Sequence, residues 1–340
     1  MKKTALSAAL TALLSACSQP LPLAPSQEAS ISPEAAAFIR RSRYTDLPAF
    51  IPISAGQILK ARQQFDQSED LPERALIQKF GLQVERQTLA GVPVLSIRPA
   101  RVAPGLERTV ALNIHGGGFV LGGPRDRSAL LVAGTLGVPV ISVDYTMAPE
   151  ARFPVPIEQS LAVYRALVQQ HGAEHLMGIS SSAGGQIMLA MLLRAAQEGL
   201  PMMKAQVLFT PASDLSGAGD SAVANDGRDV VAAGPALRSV RQFYLGEADP
   251  KDPRVSPIYA QFPHDFPASV IVTGTRDLML SNATRLFWKL RDRGVPAELL
   301  VTEGGWHGFH WEYDTPESQA ALNASNAFLR RQLGDAPARQ

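Results

Sequence analysis

Leu176-Met177-Gly178-Ile179-Ser180-Ser181-Ser182-Ala183-Gly184-Gly185 sets an apolar run against three serines and two glycines. A helical segment begins there and stays apolar on nearly all sides until Gly199 and Pro201 stop it. Strand, sharp turn and helix in that order lift one hydroxyl above the end of a sheet, in a strained backbone conformation. The turn needs small residues two before and two after the lifted side chain, because the backbones pack closely there. Ser182 meets this with Ser180 before it and Gly184 after it, so the pattern is S-x-S-x-G and not the usual G-x-S-x-G. Ser180 and Ser181 are rival nucleophiles, but neither has a glycine at the right offset. On this stretch alone, a glycine-rich turn with incidental serines stays open.

Upstream, Ile114-His115-Gly116-Gly117-Gly118-Phe119 comes after another apolar run. Consecutive glycines let a chain turn with its N–H groups pointing at one spot. The N–H groups of Gly117, Gly118 and Ala183 are therefore candidates for an oxyanion hole, helped by the positive end of the helix after Ser182. A phosphate-binding loop would need a following Lys-Ser/Thr or a G-x-G-x-x-G pattern, and neither is present. His115 sits beside this hole and not across from Ser182, so a role in fixing the loop is expected of it. Downstream, Thr273-Gly274-Thr275-Arg276-Asp277 comes after a Val/Ile-rich run, and Gly304-Gly305-Trp306-His307 after the last strand-like run. A carboxylate on the first loop can orient the imidazole on the second. Asp265 lacks a preceding strand, His310 is the nearest rival base, and His171, His175 and His264 read as surface or loop residues. The chain order Ser182, Asp277, His307 is the order expected where a serine elbow succeeds a parallel strand.

Taken together, these motifs resemble the hormone-sensitive-lipase-like (family IV) bacterial esterases of the α/β-hydrolase superfamily. The resemblance runs from about Ala111 to Phe309: His115 to Phe119, Asp144-Tyr145-Thr146-Met147-Ala148-Pro149-Glu150, Ser182 to Gly185, Asp277, and His307-Gly308-Phe309. It implies an α/β-hydrolase fold, with a mostly parallel sheet of about eight strands, helices on both faces and a helical cap. It also implies a serine carboxylic-ester hydrolase acting on small to medium acyl esters. Two departures stand out. Thr146 and Met147 replace the family's Arg-Leu, removing any ion pair of that Arg, and Ser281 stands where a second acid is frequent. A lactone hydrolase, an amidase or an acyltransferase would use the same triad, and a non-catalytic binding protein would have lost part of it.

The rest of the chain agrees with an α/β class. Strand-like runs at 92–97, 109–114, 138–143, 176–180, 205–209, 269–273 and 297–301 lack polar alternation, and helical segments at 157–170, 182–198 and 282–293 lie between the later ones. That texture implies a parallel sheet covered on both faces, within a hydrolase domain spanning 34–335. Helical segments within 34–70, and the Gly/Asp/Ala-rich stretch 213–246, are assigned to the cap. Thr315 and Pro316 open a last helix.

At the N-terminus, Lys2 and Lys3 precede an Ala/Leu run too short to span a bilayer, and Leu14-Ser15-Ala16-Cys17 resembles a bacterial lipobox. Residues 1–16 are thus expected to be a lipoprotein signal peptide, with Cys17, the chain's one cysteine, as the lipid-attachment site. Residues 17–33, rich in Pro and Ser, are expected to be an extended tether. Ser18 after the Cys, and not Asp, favours the outer membrane of a Gram-negative cell envelope. A formal net charge of +1, with no basic runs, points away from nucleic acid. The histidines lack ligand spacing and no cysteine is free, so neither metal nor cofactor is expected. The expected partner is a small-molecule ester, and the oligomeric state, a dimer included, is open.

Overall fold

The structure is a computed structural model that describes residues 18–45 and 50–334. Ten strands and ten α-helices succeed one another along the described chain. They are β1 (Ser18–Pro20), α1 (Pro25–Glu28), α2 (Pro33–Arg41), β2 (Arg43–Thr45), α3 (Ala55–Phe80), β3 (Gln83–Leu89) and β4 (Val92–Arg98). Next come β5 (Val110–Ile114), α4 (Arg127–Leu136), β6 (Val140–Val143), α5 (Val155–His171), β7 (Leu176–Ser181) and α6 (Ala183–Gln197). The chain continues with β8 (Ala205–Phe209), α7 (Ser221–Ala224), α8 (Ala233–Ser239), β9 (Ala268–Gly274), α9 (Leu280–Asp292), β10 (Ala297–Thr302) and α10 (Pro316–Leu333).

Eight strands form one sheet in the order β10-β9-β8-β7-β5-β6-β4-β3. Pairing is parallel from β10 to β6 and antiparallel where β4 and β3 close the other edge. The strands alternate between two apolar layers because successive side chains point to opposite faces. In β5, Val110, Leu112 and Ile114 pack with Leu161, Ile187 and Met188 from α5 and α6. Ala111 points the other way, into a layer with Leu130 and Leu131 of α4 and Leu322, Phe328 and Leu329 of α10. Helices therefore cover both faces, as the strand texture predicts.

Helix α3 runs 26 residues to Phe80, past the limit at 70 expected for the N-terminal cap helices, with Pro72 in its interior. It opens with a full capping box on Ser54 and Gln57, and stops at Gly81 in the left-handed conformation. Its polar composition hides this length. Glu69, Asp70 and Glu73 are there to meet Arg125 and Arg127 beside α4.

The expectation of an extended tether over 17–33 is overturned from Ser18 onward. β1 pairs with β2, Leu21 is buried, and the backbone of Ser32 donates to Glu317 on α10. The segment docks because it supplies the carbonyl of Pro22 and the side chain of Gln27 to the buried guanidinium of Arg276. Composition shows Pro and Ser but not the distant charge that needs them. The expected signal peptide and Cys17 lie outside the described residues. No helix among the described residues is long and apolar enough to cross a membrane.

Candidate active site

The turn after β7 places Ser182 at φ 50°, ψ −122°, a strained conformation for a residue with a side chain. It is sustained by close packing. A Cβ on Gly184 would stand 2.1 Å from the carbonyl oxygen of Ile114, and one on Gly185 would stand 2.8 Å from Cβ of Pro211. Ser180 and Ser181 are buried, and their hydroxyls have no hydrogen-bond partner among the described residues. Only the Ser182 hydroxyl faces a base: His307 Nε2 lies 2.8 Å from Ser182 Oγ.

The other ring nitrogen of His307 lies 2.8 Å from Asp277 Oδ1. Asp277 is fully buried on the loop after β9, where it accepts from Thr273 Oγ1 at 2.7 Å and from the N–H of Met279 at 2.9 Å. Burial alone pulls the proton affinity of the His307 imidazole down. The Asp277 charge and hydrogen bond, with the charge of Asp229, outweigh that and leave it above its ordinary value. Asp277 Oδ1 as acceptor makes Nδ1 the protonated nitrogen, which leaves Nε2 free to take the Ser182 proton.

The glycine loop closes the other side. Gly117 and Gly118 adopt φ +101° and +60°, and a Cβ on Gly117 would come within 2.1 Å of the Leu121 carbonyl oxygen. Among the described residues, the N–H groups of Gly117 and Gly118 have no protein acceptor. That of Ala183, at the first position of α6, has none within its helix. His115 is buried and stacks on Tyr145 with ring centroids 4.2 Å apart. Its Nδ1–H donates to the Gly116 carbonyl at 2.8 Å, and burial holds its pKa down at about 4. A neutral ring clamped to its own loop is a brace, not a base.

The stretch 144–150 braces the same loop. The Tyr145 hydroxyl donates to the His115 carbonyl, and Arg62 of α3 donates to the carbonyls of Val120 and Ala148 while pairing with Glu150. At Thr146, where a family Arg is missing, Gln159 accepts from the Thr146 N–H and donates to its hydroxyl. Phe119 stacks on Tyr244 at 3.7 Å, within the 213–246 segment. The rival His310 is buried, stacked on Phe209 and within 2.9 Å of the Ser128 hydroxyl, and burial first of all depresses its proton affinity. Ser281 bonds to Asp220 and Ser221, away from the imidazole.

One neighbour of the site has no local signature. Asp229, in an irregular stretch without a preceding strand, is fully buried and lies with Asp277 and His307 so that their ligand-type atoms fall within 4.8 Å of one another. Its oxygens accept the N–H groups of Leu278, His307 and Val230 at 2.7, 2.9 and 2.6 Å. Those of Asp277 are taken by His307, Met279 and Thr273. With its acceptor oxygens facing N–H and O–H donors, the trio fits proton transfer better than cation binding.

A serine with a strained backbone, an imidazole bonded on both nitrogens and a glycine loop with free N–H groups form a site for acyl transfer. A family profile described as alpha/beta hydrolase fold matches residues 111–311. The chain belongs to that family. Among solved structures, an esterase named E25 superimposes with a TM-score of 0.85 at 32% identity, over 92% of this chain and 98% of that one. An acetyl-hydrolase of Streptomyces hygroscopicus is 29% identical over 70% of this chain and 80% of its own. An ethyl acetate hydrolase of Pseudomonas putida is 29% identical over 82% and 92%. Within the α/β-hydrolase family, the chain stands with the hormone-sensitive-lipase-like esterases, as a carboxylesterase-type serine hydrolase.

Proposed function

We propose that Ser182 is the nucleophile, His307 the general base and acid, and Asp277 the group that orients and charges the imidazole. The N–H groups of Gly117, Gly118 and Ala183 receive the oxyanion. The observation that carries this reading is the unbroken pair of 2.8 Å contacts from Ser182 through His307 to Asp277. His307 Nε2 takes the Ser182 proton as Oγ attacks the ester carbonyl. The tetrahedral oxyanion is held by backbone donors, each worth about 3–4 kcal/mol of barrier. The alcohol leaves with the proton, and water repeats the sequence on the acyl-enzyme.

The substrates proposed are esters of short acyl groups. Support comes from the relatives named for acetyl and ethyl acetate hydrolysis. A p-nitrophenyl ester series from C2 to C12 tests this. Turnover highest at C2 to C4 is expected, and a maximum at C8 or longer contradicts the short-acyl reading.

For location, we propose acylation of Cys17 and attachment to the outer membrane of a Gram-negative cell, on the lipobox-like sequence Leu14-Ser15-Ala16-Cys17. Cys17→Ser should move the protein from the membrane to the soluble fraction with activity unchanged. Retention in the membrane fraction contradicts it.

A further inference from the structure

We propose that the segment Asn225–Asp229 clamps the two loops carrying the acid and the base, and that Asp229 is a positioning residue supplying a second negative charge beside His307. The inference rests on the triad of Ser182, His307 and Asp277. Four consecutive residues of the acid loop are bonded to this one segment. The Asn225 side chain donates to the carbonyls of Thr275 and Asp277 at 3.2 and 3.0 Å. The Arg276 guanidinium donates to the Arg228 carbonyl, and the Leu278 N–H donates to Asp229 Oδ2 at 2.7 Å. The other carboxylate oxygen of Asp229 crosses to the base loop, accepting the N–H of His307 itself at 2.9 Å.

A single carboxylate thus joins the residue after the acid to the base. The Leu278 N–H it satisfies is buried and those of His307 and Val230 are partly buried, and without it each loses its protein acceptor. Its charge also has a direct target. Burial first, and the charge of Asp277, raise the pKa of Asp229 to about 6 against the opposing pull of His307 and the backbone donors, so above that pH it is ionised. Ionised, it adds to Asp277 in stabilising the imidazolium that forms as Ser182 attacks. The other charged groups around the pair are Arg276, whose own proton affinity is lowered chiefly by burial, and Arg228 beside it. His310, packed nearby, is held neutral by its own burial.

The test is Asp229→Asn in the full-length protein, measured through kcat, KM and the pH dependence of kcat/KM on a p-nitrophenyl ester. The amide keeps one acceptor, turns its NH2 towards a backbone N–H, and removes the charge. Expected are a fall in kcat of about 10- to 100-fold with KM within about twofold, and an acidic limb displaced to lower pH. Losing an anion lowers the imidazole pKa, so the base stays neutral in more acid solution. Asn225→Ala is the reference, loosening the same loop with both charges kept, and should lower kcat without moving the limb. Wild-type kcat in Asp229→Asn overturns the proposal, and so does a lowered kcat with an unmoved limb. If thermal unfolding shows that the Asn variant does not fold, Asp229→Glu replaces it. Glu keeps the charge but misplaces it, so kcat should fall with the limb near wild type, and wild-type kcat overturns the clamp. Absence of ester turnover in the wild-type protein would count against the triad reading and not against the clamp.

Discussion

The proposed oxyanion side of the site, residues 115–123 and 182–185, and the proposed acid–base side, residues 275–279 and 304–308, are held in different ways. On the oxyanion side, short contiguous stretches brace one another. A Cβ on Gly116 would stand 2.9 Å from the Ser181 carbonyl oxygen, and one on Gly184 would collide with Ile114, so the two motifs fit only because both are glycine-rich. On the acid–base side the loops lean on distant chain. Asp229 ties Leu278 to His307, Arg276 reaches back to Pro22 and Gln27, and Thr275 accepts from Asn225. One side meets through close contacts of its own backbone, with Tyr145, Arg62 and Tyr244 bracing it from outside. The other depends on folding of the N-terminal segment and of the stretch after α7.

Substitutions on each side should break this contrast in different ways. Gly117→Ala is expected to act mainly on chemistry, because the residue needs φ +101° and its Cβ meets the Leu121 carbonyl oxygen. Displacement of one oxyanion donor should lower kcat by about 10²- to 10³-fold, read from steady-state kinetics, with the fold retained by circular dichroism. Arg276→Met should act first on stability. It removes a guanidinium that is 1% exposed and orphans the Pro22 and Arg228 carbonyls. A loss of about 2–3 kcal/mol is expected in urea unfolding, with kcat reduced to a lesser degree than in Gly117→Ala. Gln27→Ala, which loses the 2.6 Å contact to Arg276 and an exposed 3.0 Å hydrogen bond to Glu303, should cost about 1 kcal/mol. If Arg276→Met and Gln27→Ala leave the unfolding midpoint unchanged, the N-terminal segment is not part of the folded unit.

The same contrast governs what the sequence reveals. The strands, the serine turn and the glycine loop are legible because their requirements are local: apolar runs, small residues at fixed offsets, and turns that only glycine makes. Asp277 and His307 are legible because each lies on the loop directly after a strand. Asp229 has no such marker, being one acid in a Gly/Asp/Ala-rich stretch whose partners lie about 50 and 80 residues away. The docking of residues 18–32 is hidden for the same reason, since it answers a charge at position 276 and a carboxylate at 317. Helix α4 lacks a sharp polar–apolar division, because most of its residues are buried between the sheet, α3 and α10. The end of α3 is obscured by Pro72 and by acidic residues whose arginine partners lie beyond β5.

Of the three consecutive serines, one hydroxyl should carry the acyl group. The decisive experiment is to inactivate the full-length protein with a fluorophosphonate and locate the adduct by peptide mass spectrometry, beside a Ser182→Ala variant. One adduct per chain on Ser182 is expected, with no adduct in the variant and a fall in ester turnover of at least about 10⁴-fold. An adduct on Ser180 or Ser181, or undiminished labelling of Ser182→Ala, would rule out Ser182 as the nucleophile.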